Sequence, residues 1–480
     1  MRVKYIFLIL LAFVFGNLFS QTPDAGKIDE LMNKYYNQNL FSGTVLVAKD
    51  GNIIYEKAFG YADYESKIPN ETGTRFNLCS IGKTFTAVLI MQLVESGKLS
   101  LTEPIAAYLP EYKIPNKDKI TIHHLLTHTS GLFNYMAHPD YRNTKGSLKS
   151  IDDVMKLVED QKLVFDTPGE KMSYSNSGFI VLGKIIEKTT GKTYADYLKE
   201  KILDPLNMTN TILPVTGQVI PNNANGYKVS MERKVMRTNT NVPAFSDGGL
   251  HTTAEDMLKY DRALYGTMLL KEETKDLMFA GGSENLEKYK TSSFTNYSYG
   301  WGVRDVMGRR QIGHSGGIEG INTLFIRFPS EKITIIILSN YDGAADYIAR
   351  NLRAVVFGDS PEPVKLPLSF FIYDNIKEKG PKYLSENFDN LIKENGYRLD
   401  NDQVLNMLGY NFMEENMINE AIEIFKINAR LYPDVANCFD SLGEAYLKSG
   451  DKENARINYE KVLVLDPNNK NVEKILQQLK

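Results

Sequence analysis

Thr84 to Val94 is an almost unbroken apolar run that stops at Glu95-Ser96-Gly97. A one-faced surface helix carries only a stripe of apolar positions, so this run predicts a helix buried on most sides, with Gly97 as its C-terminal stop. Asp24 to Asn39 instead shows the periodicity of an amphipathic helix. Ser42 to Val47 and Ile53 to Phe59 flank Lys49-Asp50-Gly51-Asn52, and Asp-Gly between two such runs marks a tight β-hairpin. Strand-like runs return late, at Ile321 to Phe328 and Ile333 to Leu338, joined by Pro329-Ser330-Glu331-Lys332. Between the two groups the pattern is mainly helix and loop, including a second apolar helix at Phe179 to Ile186. This order predicts an α+β fold, an antiparallel sheet built from both ends of a domain, flanked by helices and holding a helical insert. Ala344 to Phe357 reads as a helix packing back on that sheet.

After Phe357 the pattern changes. A Pro-rich linker at 360–367 leads into sequence that is helical almost throughout. Leu408-Gly409 with Phe412, Ala421, Phe425 and Pro433 recurs as Leu442-Gly443 with Tyr446, Ala455, Tyr459 and Pro467, every position 34 residues on. Small alanines at helix crossings and an aromatic filling the next groove are what stacked helix pairs require. The period resembles the tetratricopeptide repeat. The expected domains are therefore a first one at 24–359 and an all-α one at 368–480. The latter would hold repeats at about 402–435 and 436–469, a degenerate leading pair within Leu368 to Asn395, and a capping helix from Asn471. The resemblance implies a protein or peptide partner, or docking on the chain's own first domain.

Composition narrows the function classes. The chain has 480 residues and a net charge of −3, with no basic stripe, which gives no electrostatic case for nucleic acid. Its two cysteines, Cys79 and Cys438, fall in different predicted domains and make no disulfide framework. Met1 to about Ser20 has the plan of a secretion signal: basic Arg2 and Lys4, an apolar Tyr5 to Phe15, and small Ser20 before Gln21-Thr22-Pro23. Export to a periplasmic or extracellular location follows. The rival is an uncleaved anchor, against which stands a run shorter than the roughly 20 residues a span needs.

Four stretches carry candidate chemistry. Ser80 and Lys83 are three apart at the start of the buried helix and share a face. A serine is a poor nucleophile until a neighbour takes its proton, and burial disfavours the charged form of an amine. Cys79 beside them reads as a small buried hydrophobe. His123, His124 and His128 lie in Thr121 to Leu132; the i, i+4 pair suits zinc geometrically, but no partner ligand set accompanies it, and hydrogen bonding of a loop is favoured. No metal or other cofactor is expected. Tyr174 and Asn176, two apart before the second apolar helix, can project the same way as a proton relay and a carbonyl holder, or can be an ordinary N-cap loop. Gly313-His314-Ser315-Gly316-Gly317 precedes the late strands, where glycine permits close backbone approach to a substrate oxygen or simply a turn.

Ser80-x-x-Lys83, Tyr174-x-Asn176 and His314-x-Gly316, in this order, resemble the serine β-lactamase and penicillin-binding-protein superfamily, in particular its class C-like branch of β-lactamases, D-amino-acid peptidases and esterases. The resemblance spans roughly Asp24 to Asp359 and includes Leu125 to Gly131 and Asp247-Gly248-Gly249-Leu250. It implies a β-lactamase/transpeptidase-like fold with Ser80 as acylated nucleophile, Lys83 as its base and Tyr174 as proton relay. It further implies that Asn176, His314, Ser315 and Gly316 bind substrate and that the N–H groups of Ser80 and Gly317 form the oxyanion hole. One departure stands out. The β-lactamases of this branch carry Lys-Thr-Gly where this chain has His314-Ser315-Gly316, so a permanent cation is replaced by an imidazole. That points to esters or D-amino-acid peptides and amides rather than efficient β-lactam hydrolysis. The rival reading is a catalytically silent sensor or scaffold acting through the repeats.

Overall fold

The computed structural model describes residues 22–159, 161–280 and 296–479. The segment expected to be a secretion signal, Met1 to about Ser20, lies outside them. Among the described residues no helix is long and apolar enough to cross a membrane. The chain divides into two compact units, one comprising 1–228 and 237–362, the other 229–236 and 363–480.

The first unit is organised on a seven-stranded antiparallel sheet. Its strands are β1 (Gly43–Lys49), β2 (Asn52–Phe59), β3 (Asn296–Tyr297), β4 (Gly302–Val306), β5 (Arg309–Ile318), β6 (Ile321–Phe328) and β7 (Ile333–Ser339), in the spatial order β2-β1-β7-β6-β5-β4-β3. Both ends of the unit meet at its centre, where Leu46 pairs with Ile336 and Val45 with Ile337. The β1–β2 turn has Asp50 at φ 50° and Gly51 at φ 73°, the double positive φ that the Asp-Gly dipeptide accepts. Strands that bury both faces read as continuous apolar runs, which is why Ile333 to Leu338 lacks alternation. Leu46, Ile336, Leu338 and Phe325 join the large core of the helical insert. Val45, Val47, Ile335 and Ile337, equally buried, alternate to the other face.

Two terminal helices, α1 (Ala25–Asn37) and one labelled α5 (Ala344–Val356), pack on each other through Tyr35 and Tyr347 and through Asn351, whose Nδ2 donates to Tyr35 Oη at 2.9 Å. Asp24 caps α1 by accepting from the N–H groups of Gly26 and Lys27. Within the insert lie α2 (Gly82–Glu95), α3 (Asn176–Thr190) and α4 (Ala254–Tyr265). Eleven α2 residues are buried, and Gly97 at φ 71° follows its end.

Helix α4 lies against β1 and β7 and carries Asp261, fully buried, whose carboxylate accepts from Arg327 Nε on β6 and from Thr334 Oγ1 on β7, both at 2.5 Å. Removing one partner of such a pair strands the other charge in a low dielectric. Arg327→Met is therefore expected to lower stability by about 3–5 kcal/mol. Thermal and urea denaturation check this, and a loss below about 1 kcal/mol would mean that the pair is solvated or dispensable.

The β5 strand departs from the sequence-based expectation, which placed Gly313 to Gly317 before the strands. These residues lie inside β5, and β3 and β4 complete the sheet beyond it. Three glycines and the polar start Arg309-Arg310-Gln311 carry no strand propensity. Pairing on both sides imposes the conformation.

The second unit is helical: Leu368–Lys379, Pro381–Glu394, Asp402–Glu414, Ile418–Leu431, Ala436–Ser449, Lys452–Leu465 and Lys470–Gln478. The repeated glycines explain themselves by contact. A Cβ on Gly409 would sit 2.4 Å from the Phe425 ring, and one on Gly443 3.1 Å from the Tyr459 ring. Each aromatic thus packs on the small residue of the preceding helix. Val472 of the last helix closes over Ala455, Tyr459 and Val462. The segment Val229–Met236 belongs to this unit: Arg233 stacks 3.8 Å over the Phe370 ring and pairs with Asp374 at 2.9 Å.

Candidate active site

Ser80 sits in a single 3₁₀ turn, Cys79–Ile81, that runs directly into α2. Leu78 is tied to Leu250 by a backbone bond of 2.7 Å, and Cys79 N–H donates to Asn77 Oδ1 at 2.7 Å. Cys79 adopts φ 49°, a left-handed conformation that is strained for a residue with a side chain. On its other side the turn abuts β5. A Cβ on Gly316 would lie 2.1 Å from Leu78 O, so only glycine lets this strand pass so close. Thr323 Oγ1 on β6 also donates to Leu78 O, at 3.0 Å.

Lys83 is 0% exposed. Its Nζ lies 2.7 Å from Asn176 Oδ1, 2.6 Å from Asp247 O and 3.1 Å from Ser80 Oγ. Two of these neighbours are carbonyl oxygens, which can only accept. They engage two N–H bonds of the amine, and the remaining tetrahedral direction faces the serine hydroxyl. The same Nζ is 5.0 Å from the centre of the Tyr174 ring and 5.5 Å from that of Phe179. Ser80, Lys83, Tyr174 and Asn176 are thus brought together from distant parts of the chain. Tyr174 immediately precedes the N-cap Ser175 of α3 and is 40% exposed, whereas Asn176 is the first residue of the helix and buried. Asn176 Nδ2 rests on Met136 Sδ at 3.1 Å, which leaves its carbonyl oxygen turned to the amine.

His314 is also in the cleft, 6.5 Å from Tyr174 between ring centres, but its two nitrogens are engaged. Nδ1 donates to Ser315 O at 2.5 Å and Nε2 accepts from Tyr297 Oη at 2.8 Å. Burial, and secondarily the proximity of Lys83, lowers its pKa to about 3, so the ring is neutral across the physiological range. Ser315 is half-buried, Gly316 buried and Gly317 exposed at the end of β5. The three histidines of the Thr121 to Leu132 stretch serve separate local tasks. His124 closes a capping box with Thr121, His123 Nδ1 meets Tyr299 Oη at 2.9 Å, and His128 Nδ1 faces Ser175 N–H at 3.2 Å. Burial pushes the Cys79 thiol up to about 12, which keeps it protonated beside the serine.

Three contributors were given no role by the sequence reading. Asp247 holds Lys83 through its backbone carbonyl, while its buried carboxyl, raised by desolvation, accepts from Tyr135 Oη at 2.9 Å. Tyr297 fixes His314. Thr323 fixes the turn that carries Ser80. Asp247-Gly248 did carry a signal, because a Cβ on Gly248 would fall 2.5 Å from Cys79 O, a close approach that glycine alone allows.

A serine and a buried lysine joined at the head of a core helix, beside an antiparallel sheet, define the class of serine hydrolases that work by acyl transfer. The family model for β-lactamase matches residues 25–358, and the chain belongs to that family of serine hydrolases. A tetratricopeptide repeat model matches 436–469. Among relatives, penicillin-binding protein 4* of Bacillus subtilis (strain 168) is 32% identical over 343 residues, covering 67% of this chain and 74% of that protein. The teichoic acid D-alanine hydrolase of Staphylococcus aureus is 28% identical over 330 residues, covering 68% of this chain and 75% of that protein. The crystal structure of a penicillin binding protein from Bacillus halodurans superposes with a TM-score of 0.60 at 28% identity, over 67% of this chain and 97% of that one.

Proposed function

We propose that the chain is an exported hydrolase that cleaves esters or D-aminoacyl peptides and amides through an acyl-enzyme on Ser80, and that it is a poor β-lactamase. The observation that carries this reading is the Lys83 amine, held by two carbonyl acceptors with its third direction on Ser80 Oγ. In the first half-reaction Ser80 Oγ attacks the scissile carbonyl and its proton passes to Lys83. The N–H groups of Ser80 and Gly317 receive the developing oxyanion. The proton then travels by way of the Tyr174 hydroxyl to the leaving alkoxide or amine, which departs with it. In the second half-reaction a water gives a proton back through Tyr174 and Lys83 while its oxygen attacks the ester. Ser80 is restored and the acid released.

Substrate choice follows from the neutral third motif. With His314 buried and bonded to Tyr297, β5 offers no permanent cation beside Tyr174. A free carboxylate next to the scissile bond, as on a β-lactam, gains little there, whereas a neutral or amine-bearing acyl group loses nothing. Asn176, Ser315 and Gly316 would bind the acyl amide or ester by hydrogen bonds. The relative named a teichoic acid D-alanine hydrolase supports a D-alanyl ester among the candidates. The basic and apolar start of the chain supports export, and the matched repeat supports a peptide or protein partner for the second unit.

Purified mature chain assayed with p-nitrophenyl esters, D-alanyl p-nitroanilide and nitrocefin tests the assignment. Ester kcat/KM is expected to exceed that for nitrocefin by about tenfold or more, the loss of roughly one charged contact. Rapid nitrocefin turnover would overturn the ranking, and inertness toward the whole panel together with fluorophosphonate would overturn the reading.

A further inference from the structure

His128 has no part in the mechanism above, yet it is bound to the proton relay on three sides. It is 1% exposed and adopts φ 57°, beyond the end of the short helix Ile122–Leu126. Its carbonyl accepts from Ser173 N–H at 2.9 Å, and its Nδ1 accepts from Ser175 N–H at 3.2 Å. Both residues that flank Tyr174 therefore hang from one histidine. The imidazole itself lies 4.2 Å from the Tyr174 ring, tilted by 38°, with Tyr297 at 4.7 Å and Phe179 at 5.3 Å completing its surroundings.

The tautomer follows from the contacts. A backbone N–H can only donate, so Nδ1 carries a lone pair and the ring hydrogen is on Nε2. Burial first, and then the nearby Lys83 and His314, hold the imidazole well below its ordinary range, so the acceptor persists at neutral pH. The Nε2–H is buried and has no partner among the described residues. An orphaned buried donor is unfavourable, and a leucine or phenylalanine would avoid it. Retaining the imidazole at that expense implies that the other nitrogen has a task.

We propose that His128 is the positioning residue of Tyr174, fixing the phenol over the Lys83 amine by accepting the two backbone N–H groups that bracket it. This rests on the assignment of Tyr174 as the proton relay. Without the Nδ1 acceptor, the Ser175 N–H is orphaned at the N-cap of α3 and the Tyr174 backbone is held at one end only. The phenol then strays from the line between amine and leaving group, and a displacement of about 1 Å suffices for a loss on the order of 10²-fold.

The test compares two amides in the full mature chain. His128→Asn puts a carbonyl oxygen close to the Nδ1 position, and asparagine tolerates a left-handed backbone. His128→Gln puts its oxygen near Nε2 instead. The readouts are the acylation burst with a p-nitrophenyl ester, the labelling rate with a fluorophosphonate, and backbone hydrogen exchange in the 172–176 segment. The Gln variant is expected to acylate about 10²-fold more slowly with KM within about threefold of wild type, and to exchange about tenfold faster in that segment. The Asn variant is expected to stay within about fivefold of wild type on every readout. Equal behaviour of the two variants, whether both intact or both impaired, would overturn the assignment, as would a loss confined to KM. Hydrogen exchange separates the two hypotheses: if wild type is not labelled at Ser80 the hydrolase reading fails, while unchanged exchange in the Gln variant rejects the positioning role irrespective of activity.

Discussion

Ser80→Ala is expected to abolish fluorophosphonate labelling and to lower kcat on p-nitrophenyl esters by about 10⁵ to 10⁶-fold, the scale on which a covalent nucleophile is lost. Folding should survive almost unchanged. The Ser80 side chain is half-buried and its hydroxyl bonds to Lys83 alone among the described contacts, so its removal costs at most about 1 kcal/mol. Cys79 cannot substitute, because its buried thiol is held protonated and sits in the strained residue before Ser80. Intact-protein mass spectrometry after a short pulse of substrate gives a second readout, an acyl adduct on wild type that is absent from the variant. Labelling of Ser80→Ala at the wild-type rate would move the nucleophile elsewhere and remove the basis for every role assigned around it.

Apart from the sheet built from both ends of the domain, what the sequence made legible was local. Ser80 and Lys83 share a face because three-residue spacing does so in both a 3₁₀ and an α turn, and the apolar run behind them could only be a core helix. The Asp50-Gly51 turn and the isoleucine-rich β7 were equally plain, since turn chemistry and two-sided burial leave direct traces. The repeat period was visible because each Gly–aromatic pair is a contact between adjacent helices.

What stayed hidden depends on long-range partners or on backbone atoms. β5 is a strand only because β4 and β6 flank it, and its glycines answer to Leu78, far away in sequence. Asp247 serves through a carbonyl oxygen that any residue has, so its side chain could not announce the role. The third motif suggested a neutral imidazole, but that both nitrogens are committed depends on Tyr297, in a segment without strand signal. The His124/His128 spacing illustrates the converse. Geometry suited to a metal is spent on a helix cap and a loop clamp.

Lys83→Met separates the proposed base from the space it fills. Methionine has nearly the length and flexibility of the lysine stem, so the space the buried side chain fills stays packed while the amine disappears. Two carbonyls, Asn176 Oδ1 and Asp247 O, then lose a donor each, at about 1–3 kcal/mol apiece. Against this, an amine no longer has to be buried, which returns part of that cost. The net loss of stability should therefore be small beside the catalytic one. General base catalysis contributes about 10²–10⁴-fold, and the acylation rate constant from burst kinetics is expected to fall by that range. Lys83→Arg should be no better, since a guanidinium does not give up its proton and its planar fork does not match two carbonyls and a hydroxyl set tetrahedrally about one nitrogen. Acylation of Lys83→Met within tenfold of wild type at neutral pH would show that another group takes the serine proton. The buried amine would then be a structural tie between α2, α3 and the Asp247 loop, and the cleft would need a different base.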